Sequence, residues 1–148
     1  MRREMYKIAA VLFIFSLPIN TNAQTKDVNV AARYAQANLI NDFIECASFY
    51  AIISQGEIPL ARREKYENLA SRIISVSVVL AESIDMKKEA VISKLQLHNK
   101  KMGESIDFDG INISILQNKY DDFCKTLMED PEKRLEYWVI ELVSKEGS

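Results

Sequence analysis

The stretch YAQANLINDFIECASFYAIISQG, residues 34–56, sets the expected fold. Its apolar side chains recur at steps of three and four residues, which is the spacing of one face of an α-helix. That stripe consists of Tyr34, Ala37, Ile40, Phe43, Ile44, Ala47, Tyr50 and Ala51. Phe49, Ile52 and Ile53 lie beside the stripe, so the apolar face is wider than one neighbouring helix requires. We expect a second contact, to the last helix of the same chain, with a partner or dimer surface as the alternative.

The chain on either side of this stretch continues the helical pattern. Five helices are expected, beginning near Asp27, Pro59, Asp85, Ile111 and Pro131. Aspartates 27, 85 and 130 suit N-caps, and a proline suits the first turn of a helix because its missing N–H has no partner there. Gly56 is expected to end the first helix in the left-handed conformation. The third helix is expected to end near Lys101, and Gly103 and Gly110 then bracket a polar loop.

Each later helix has its own predicted inner face. These faces are Tyr66, Leu69, Ala70, Ile73, Ser77, Leu80 and Ala81 in the second helix; Ile84, Val91, Leu95 and His98 or Met102 in the third; Ile113, Leu116, Tyr120, Phe123, Cys124 and Leu127 in the fourth; and Leu135, Trp138, Val139 and Leu142 in the fifth. The second helix is nearly aliphatic over 73–81 and is expected to be the central one. The prediction is an all-α antiparallel bundle of four to five helices, forming a single domain over residues 24–148.

The first 23 residues differ from the rest. Arg2, Arg3 and Lys7 precede an apolar run from Ile8 to Leu17, the order found in secretory signal peptides. The run is too short to cross a bilayer, which takes about 20 apolar residues. We expect cleavage after Ala23, leaving no membrane span in the mature chain. Without those residues, 16 Lys and Arg stand against 20 Asp and Glu, a net charge of −4. Nucleic-acid binding, which needs clustered basic residues, is therefore not expected.

The two cysteines, Cys46 and Cys124, are expected to form one disulfide. An even cysteine count in an exported domain favours a structural bridge, and neither residue has the C-x-x-C setting of a redox-active thiol. The chain-entropy model gives a bridge over such a long loop about 4.5 kcal/mol. Aromatic residues near both cysteines and in the last helix are expected mostly in the core, with a subset available to line a groove.

No catalytic, cofactor or metal site is predicted. His98 is the lone histidine and has no acidic or metal-binding partners at ligand spacing. The segment 107–112 resembles a calcium loop, but placing Gly110 at the sixth position puts Leu116 where a glutamate is required. Adjacent acids such as Asp121 and Asp122 diverge by about 100° on a helix, so they do not form an acid–base pair.

The layout resembles that of small, exported, disulfide-linked helical proteins of Gram-negative bacteria. Several of these bind and neutralise a toxic or lytic enzyme in the periplasm, as type VI secretion immunity proteins do. The resemblance implies a periplasmic or secreted protein that binds a protein partner in the cell envelope, possesses no catalytic activity and acts as an inhibitor or immunity-type module. Two alternatives are a structural or stress-related envelope protein that self-associates and an enzyme of unrecognised type.

Overall fold

The computed structural model describes residues 24–56 and 58–146, with side chains over 29–56 and 58–145. Helices α1 to α5 span Gln24–Ser54, Leu60–Ser83, Lys88–Ser105, Ile113–Glu129 and Pro131–Glu146, with a 3₁₀ turn at Gly110–Asn112. These residues contain no strand, so the predicted all-α class with five helices is confirmed. None of the described helices is long and apolar enough to cross a membrane. The predicted signal peptide, residues 1–23, lies outside the described residues.

Helix α1 forms the centre of the fold, and each of the other four helices packs against it. Its buried apolar side chains cover more than half of the circumference of the helix: Ala35, Leu39, Ile40, Phe43, Ile44, Cys46, Ala47, Phe49, Tyr50 and Ile53. The prediction that the second helix is central was therefore wrong. Val79 of α2 is 51% exposed, because part of the aliphatic run over 73–81 faces solvent. Helical periodicity locates a buried face but does not report how many neighbours a helix has.

Contacts along α1 give the direction of α2 and α3. The rings of Tyr50 and Tyr66 stack at 5.7 Å, and Arg33 donates from Nη2 to the carbonyl oxygen of Ile84 at 2.8 Å. Helix α2 therefore runs antiparallel to α1. Helix α3 starts near the Arg33 end of α1, and Lys94 near the middle of α3 donates to the Oδ1 atom of Asn41 farther along α1. Helix α3 therefore runs parallel to α1. The three helices alternate in direction, as short connections require.

Helices α4 and α5 together form the last side of the fold, running one after the other along α1. Tyr120 contacts Phe49, with ring centroids 5.8 Å apart, and farther along Arg134 of α5 contacts Asp42. Both helices thus run antiparallel to α1, and α5 does not turn back on α4 as an antiparallel bundle predicts. The break between them is at Asp130, because the residue before a proline is disfavoured in the helical conformation. The Oδ1 atom of Asp130 accepts from the N–H of Lys133 at 3.1 Å, so its predicted N-cap role is confirmed.

Aspartates, not glycines, take the left-handed position where α2 and α3 end. Asp85 has φ 59°, and Asp107 has φ 53°. The N–H of Met86 donates to the carbonyl oxygen of Ala81, as in a Schellman motif, and the α3 end repeats this pattern. Asp85 was predicted to be the N-cap of the third helix, but it terminates the second, and α3 begins at Lys88 after Lys87. No described glycine has a positive φ, so the left-handed role predicted for Gly56 was also wrong.

Other predicted boundaries shift by a few residues. Helix α1 begins at Gln24, three residues before the predicted N-cap Asp27. Pro59 is the N-cap of α2 and not its first helical residue. Helix α3 continues past Lys101 to Ser105, so Gly103 lies inside the helix. The predicted inner faces are largely confirmed: Ile73, Leu80, Val91, Leu116 and Leu127 are among the buried residues of α2, α3 and α4, whereas the inner residues of α5 are only half-buried.

Candidate functional site

A cleft of about 420 Å³ opens where α1 and α3 end and α4 begins. Its volume lies in the range of natural ligand pockets, about 300–1,000 Å³. The lining residues are Ile52, Gln55, Gly56, Asn99, Lys100, Gly103, Ile106, Phe108, Gly110 and Ile113. Most of the lining side chains are apolar, and the polar groups are two amides and one ammonium. The parallel course of α1 and α3 places both C-termini at this end of the molecule.

Two glycines bring the floor of the cleft together. A Cβ atom on Gly110 would lie 4.0 Å from the Cα atom of Gly56, so the α1–α2 turn and the α3–α4 turn approach each other backbone to backbone. A Cβ atom on Gly56 would collide with the Cδ1 atom of Ile113. The missing side chain at Gly56 therefore leaves room for Ile113, which lines the cleft and is buried.

The α3–α4 turn presents two large apolar side chains: Phe108 lines the cleft, and Ile111 directly follows the lining residue Gly110. Phe108 is 71% exposed and Ile111 is 86% exposed. The turn fixes Phe108 through its N–H, which donates to the carbonyl oxygen of Gly103 at 2.8 Å, and the ring covers Gly103. The Oδ1 atom of Asp109 accepts from the N–H of Ile111 at 2.9 Å and orders the following 3₁₀ turn. Both side chains are thus held in the solvent by the backbone of a structured turn.

Asn99, one of the lining residues, has an unsatisfied hydrogen-bond acceptor. Its Oδ1 atom is buried and has no hydrogen-bond partner in the structure. An unpaired buried polar atom costs about 1–3 kcal/mol, and because the atom is buried it is not accessible from the open cleft. Lys100 adds a positive charge, and its Nζ atom lies 3.8 Å from the Oε1 atom of Glu104.

The predicted disulfide is present, away from this cleft. Cys46 and Cys124 are fully buried, are bonded to each other, and have Cα atoms 5.4 Å apart. The bridge joins the middle of α1 to α4. It is surrounded by core residues and lines neither described pocket, in agreement with a structural role.

His98 is half-buried on α3 and does not line the cleft. Burial lowers the pKa of His98, Glu45 opposes this change, and Lys101 and Lys94 add to it. The described residues contain no group of three or more His, Cys, Asp or Glu that could hold a metal ion. Asp121 and Asp122 are both exposed on α4.

The carboxylate with the most extensive contacts is one that the sequence analysis missed. Asp42 is 6% exposed on α1, and its Oδ2 atom accepts from Arg134 Nε at 2.7 Å and from Trp138 Nε1 at 2.6 Å. Its position between apolar residues was the available signal, together with an arginine and a tryptophan four residues apart on a later helix. The group joins α5 to α1, and all its acceptor contacts are within the chain, so we assign it to the fold.

The aromatic residues divide between the core and the surface of α5. Phe49, Tyr50, Tyr66 and Tyr120 pack with one another between α1, α2 and α4. The guanidinium of Arg134 lies 4.4 Å from the ring centroid of Tyr137 and also faces Phe123 and Trp138. A shallower pocket of about 230 Å³ lies beside this group, lined by Phe123, Leu127 and Tyr137 among others. The wide apolar face of α1 is thus buried within the chain, and Phe49 contacts α4, not the last helix as expected.

Comparisons of the chain with protein-family models, with curated proteins and with solved structures find no match.

Proposed function

We propose that this protein is exported and acts by binding another protein through the cleft between α1, α3 and α4. The observation that carries the proposal is a cleft of about 420 Å³ whose lining includes the exposed Phe108, with the exposed Ile111 directly after the lining residue Gly110. Large exposed apolar residues beside a concave surface are typical of protein interaction sites, where aromatic and aliphatic anchors contribute most of the binding free energy. The layout supports an inhibitor or immunity-type module in the cell envelope.

Export is part of the same proposal. A buried disulfide is typical of proteins that fold in an oxidising compartment, and the leader-like order of residues 1–23 supports secretion to the periplasm or beyond. We propose binding and not catalysis, because the cleft presents apolar, amide and ammonium groups and lacks a paired acid and base.

Site-specific photo-crosslinking in the native cell tests the proposal. Ile111→benzoylphenylalanine places the reactive group next to the lining residue Gly110, and Val79→benzoylphenylalanine on α2 provides an exposed control. We expect one discrete adduct from position 111 that is absent from position 79. The adduct should be lost when Phe108→Ser is added, because the adjacent anchor is removed. Equal labelling at both positions, or an adduct that survives Phe108→Ser, would contradict a cleft-centred interface.

A second candidate is self-association, favoured by the outer face of α5. Tyr137, Ile140 and Val143 follow one another at steps of three residues and are 44%, 68% and 61% exposed. Such a face can pack against the same face of a second copy. Sedimentation velocity at rising protein concentration tests this alternative: a dimer that dissociates in Ile140→Asp would support it, and a monomer at all concentrations would contradict it.

A further inference from the structure

We propose that the bridge between Cys46 and Cys124 can be made or broken only while α4 is detached from α1, so that an external disulfide must act on this chain before α4 packs. This property is independent of the cleft and of its occupant. Both cysteines have a relative exposure of 0%, and both belong to the hydrophobic core. Thiol–disulfide exchange requires a thiolate to contact one of the sulfur atoms, so an enclosed bridge does not exchange.

Helix α4 covers the face of α1 that carries Cys46. Cys46 and Phe49 are three residues apart on α1 and therefore lie on the same side of the helix. Cys46 is bonded to Cys124, and the ring of Phe49 contacts that of Tyr120, with centroids 5.8 Å apart. Both partners belong to α4, so this one helix covers the cysteine and its neighbour.

The packing of α4 closes access to the bridge. Tyr120 and Leu127 lie one turn before and one turn after Cys124, and both are buried. Helices α2 and α3 pack on α1 through other side chains, such as Tyr50 and Asn41. Detachment of α4 therefore exposes the sulfur atoms even where α2 and α3 stay packed, and docking of α4 encloses them again.

Closure of the bridge takes two exchange steps. The thiolate of one cysteine attacks the external disulfide and expels one thiolate from it, which leaves a mixed disulfide. The thiolate of the second cysteine then attacks the bonded sulfur of the first and expels the other thiolate. The chain loses two electrons and two protons, and the external disulfide takes them up as two thiols. Reduction follows the same path in reverse, so its rate reports the access that oxidation needs.

Reduction of the folded, oxidised protein by dithiothreitol tests the inference. Alkylation of free thiols, followed by measurement of the intact mass, counts the reduced chains at each time. We expect reduction in buffer to be roughly 1,000-fold slower than in denaturing urea, because the stability of the fold keeps the α4-detached state rare. A rate in buffer within about tenfold of the rate in urea would overturn the inference, since the sulfur atoms would then be accessible in the folded protein.

Two leucine variants separate the packing of α4 from a general effect of substitution. Leu116→Ala removes a buried side chain of α4 and should accelerate reduction by dithiothreitol about 30-fold or more, because the cavity destabilises the docked helix. Leu97→Ala removes an exposed side chain of α3 and should leave the rate within about threefold. If circular dichroism shows Leu116→Ala to be unfolded, Ile113→Val is the milder α4 variant, with an expected acceleration of about 2- to 12-fold. An unchanged rate in the folded α4 variant would overturn the inference.

A reductant of protein size distinguishes detachment of α4 from a narrower opening. We expect Leu116→Ala to raise the rate of reduction by a reduced dithiol oxidoreductase by the same factor as the rate with dithiothreitol. If dithiothreitol responded much less than the oxidoreductase, a small molecule would reach the bridge without detachment of α4, and the inference would be overturned. The cross-linking at position 111 does not depend on these rates, so the proposed function and this inference can fail separately.

Discussion

Helices α4 and α5 follow each other along α1 but are attached to it by different forces. Helix α4 contributes five buried residues and is bonded to α1 through Cys124. Among the described side chains of α5 only Pro131 is buried, the inner residues are half-buried, and the main specific contact to α1 is the charged group of Asp42, Arg134 and Trp138. Fully buried apolar residues and a covalent bond fix α4, whereas a charge pair and half-buried residues such as Leu135 hold α5. We therefore expect α5 to open locally before the rest of the molecule unfolds.

Loss of the disulfide should have the largest effect on stability. Cys46→Ser, Cys124→Ser and the double variant should each lower the free energy of unfolding by about 2–5 kcal/mol, because each one removes the same constraint on the unfolded chain. Urea denaturation at equilibrium measures the change. The free energy of global unfolding should then lie closer to that of the local opening of α5, because the attachment of α4 is weakened. Additive losses in the double variant would contradict the bridge, because two changes to one bond cannot add.

Removal of the Asp42 carboxylate should have the next largest effect, and it should be confined to α5. Asp42→Ala leaves the guanidinium of Arg134 and the indole N–H of Trp138 without their acceptor, at a cost of about 2–3 kcal/mol given the partial exposure of Arg134. Hydrogen exchange of the amides in 134–146 should accelerate about 30- to 150-fold, while the buried part of α4 keeps its protection.

An exposed ion pair provides the control for this prediction. The side chains of Arg33 and Asp85 are 60% and 86% exposed at a separation of 3.2 Å. Asp85→Asn should change stability by less than about 1 kcal/mol, because solvent screens the pair and Asn tolerates the left-handed conformation at this position. If Asp42→Ala accelerated exchange in α4 as much as in α5, the two helices would form one cooperative unit and the comparison would not hold.

The sequence predicted helix faces well but not the relations between helices. The inner residues of α4, from Ile113 to Leu127, follow from a periodic pattern of apolar residues, and that pattern survives because only one face of α4 meets the core. In α1 the buried apolar residues cover more than half of the circumference, so the periodic pattern is weaker at the helix that packs most extensively. The central position of α1 depends on how the other helices are arranged around it, and a one-dimensional pattern does not contain that information.

The candidate site was less predictable than the fold. Residues 103–110 were predicted to form a polar loop, yet this segment contains the exposed Phe108, which lines the cleft. Asp107 and Phe108 both have a left-handed backbone, and this conformation sets the course of the α3–α4 turn. Neither is a glycine, the residue type from which such a turn is usually predicted. The role of Asp42 escaped notice for a related reason, since its partners lie more than 90 residues away and a lone acid in a helix resembles a solvent-facing one.

Stability at alkaline pH should depend on Tyr50, which belongs to the aromatic group between α1, α2 and α4. Burial, and then the nearby Asp121 and Tyr66, raise the pKa of Tyr50 to about 12 from 10.0. The folded state therefore favours the neutral phenol, so its stabilising effect is complete below pH 10 and is lost as pH rises from 10 to 12. The loss should be at most about 3 kcal/mol. Tyr50→Phe should remove this part of the pH dependence in urea denaturation at pH 9 and 11, and an unchanged slope would show that another group causes it.

Relief of backbone strain at Asp107 should give the smallest effect, of opposite sign. Asp107→Gly removes a side chain from a position with φ 53° and should stabilise the protein by about 0.5–1 kcal/mol. Asp85→Gly relieves a similar strain at φ 59° but loses the contact with Arg33, so its gain should be smaller. Both turns lie outside α5, and the exchange rates of 134–146 should not change in either variant. A slower exchange in α5 after Asp107→Gly would show that its opening is coupled to the α3–α4 turn, because only then could stability gained at that turn reach α5.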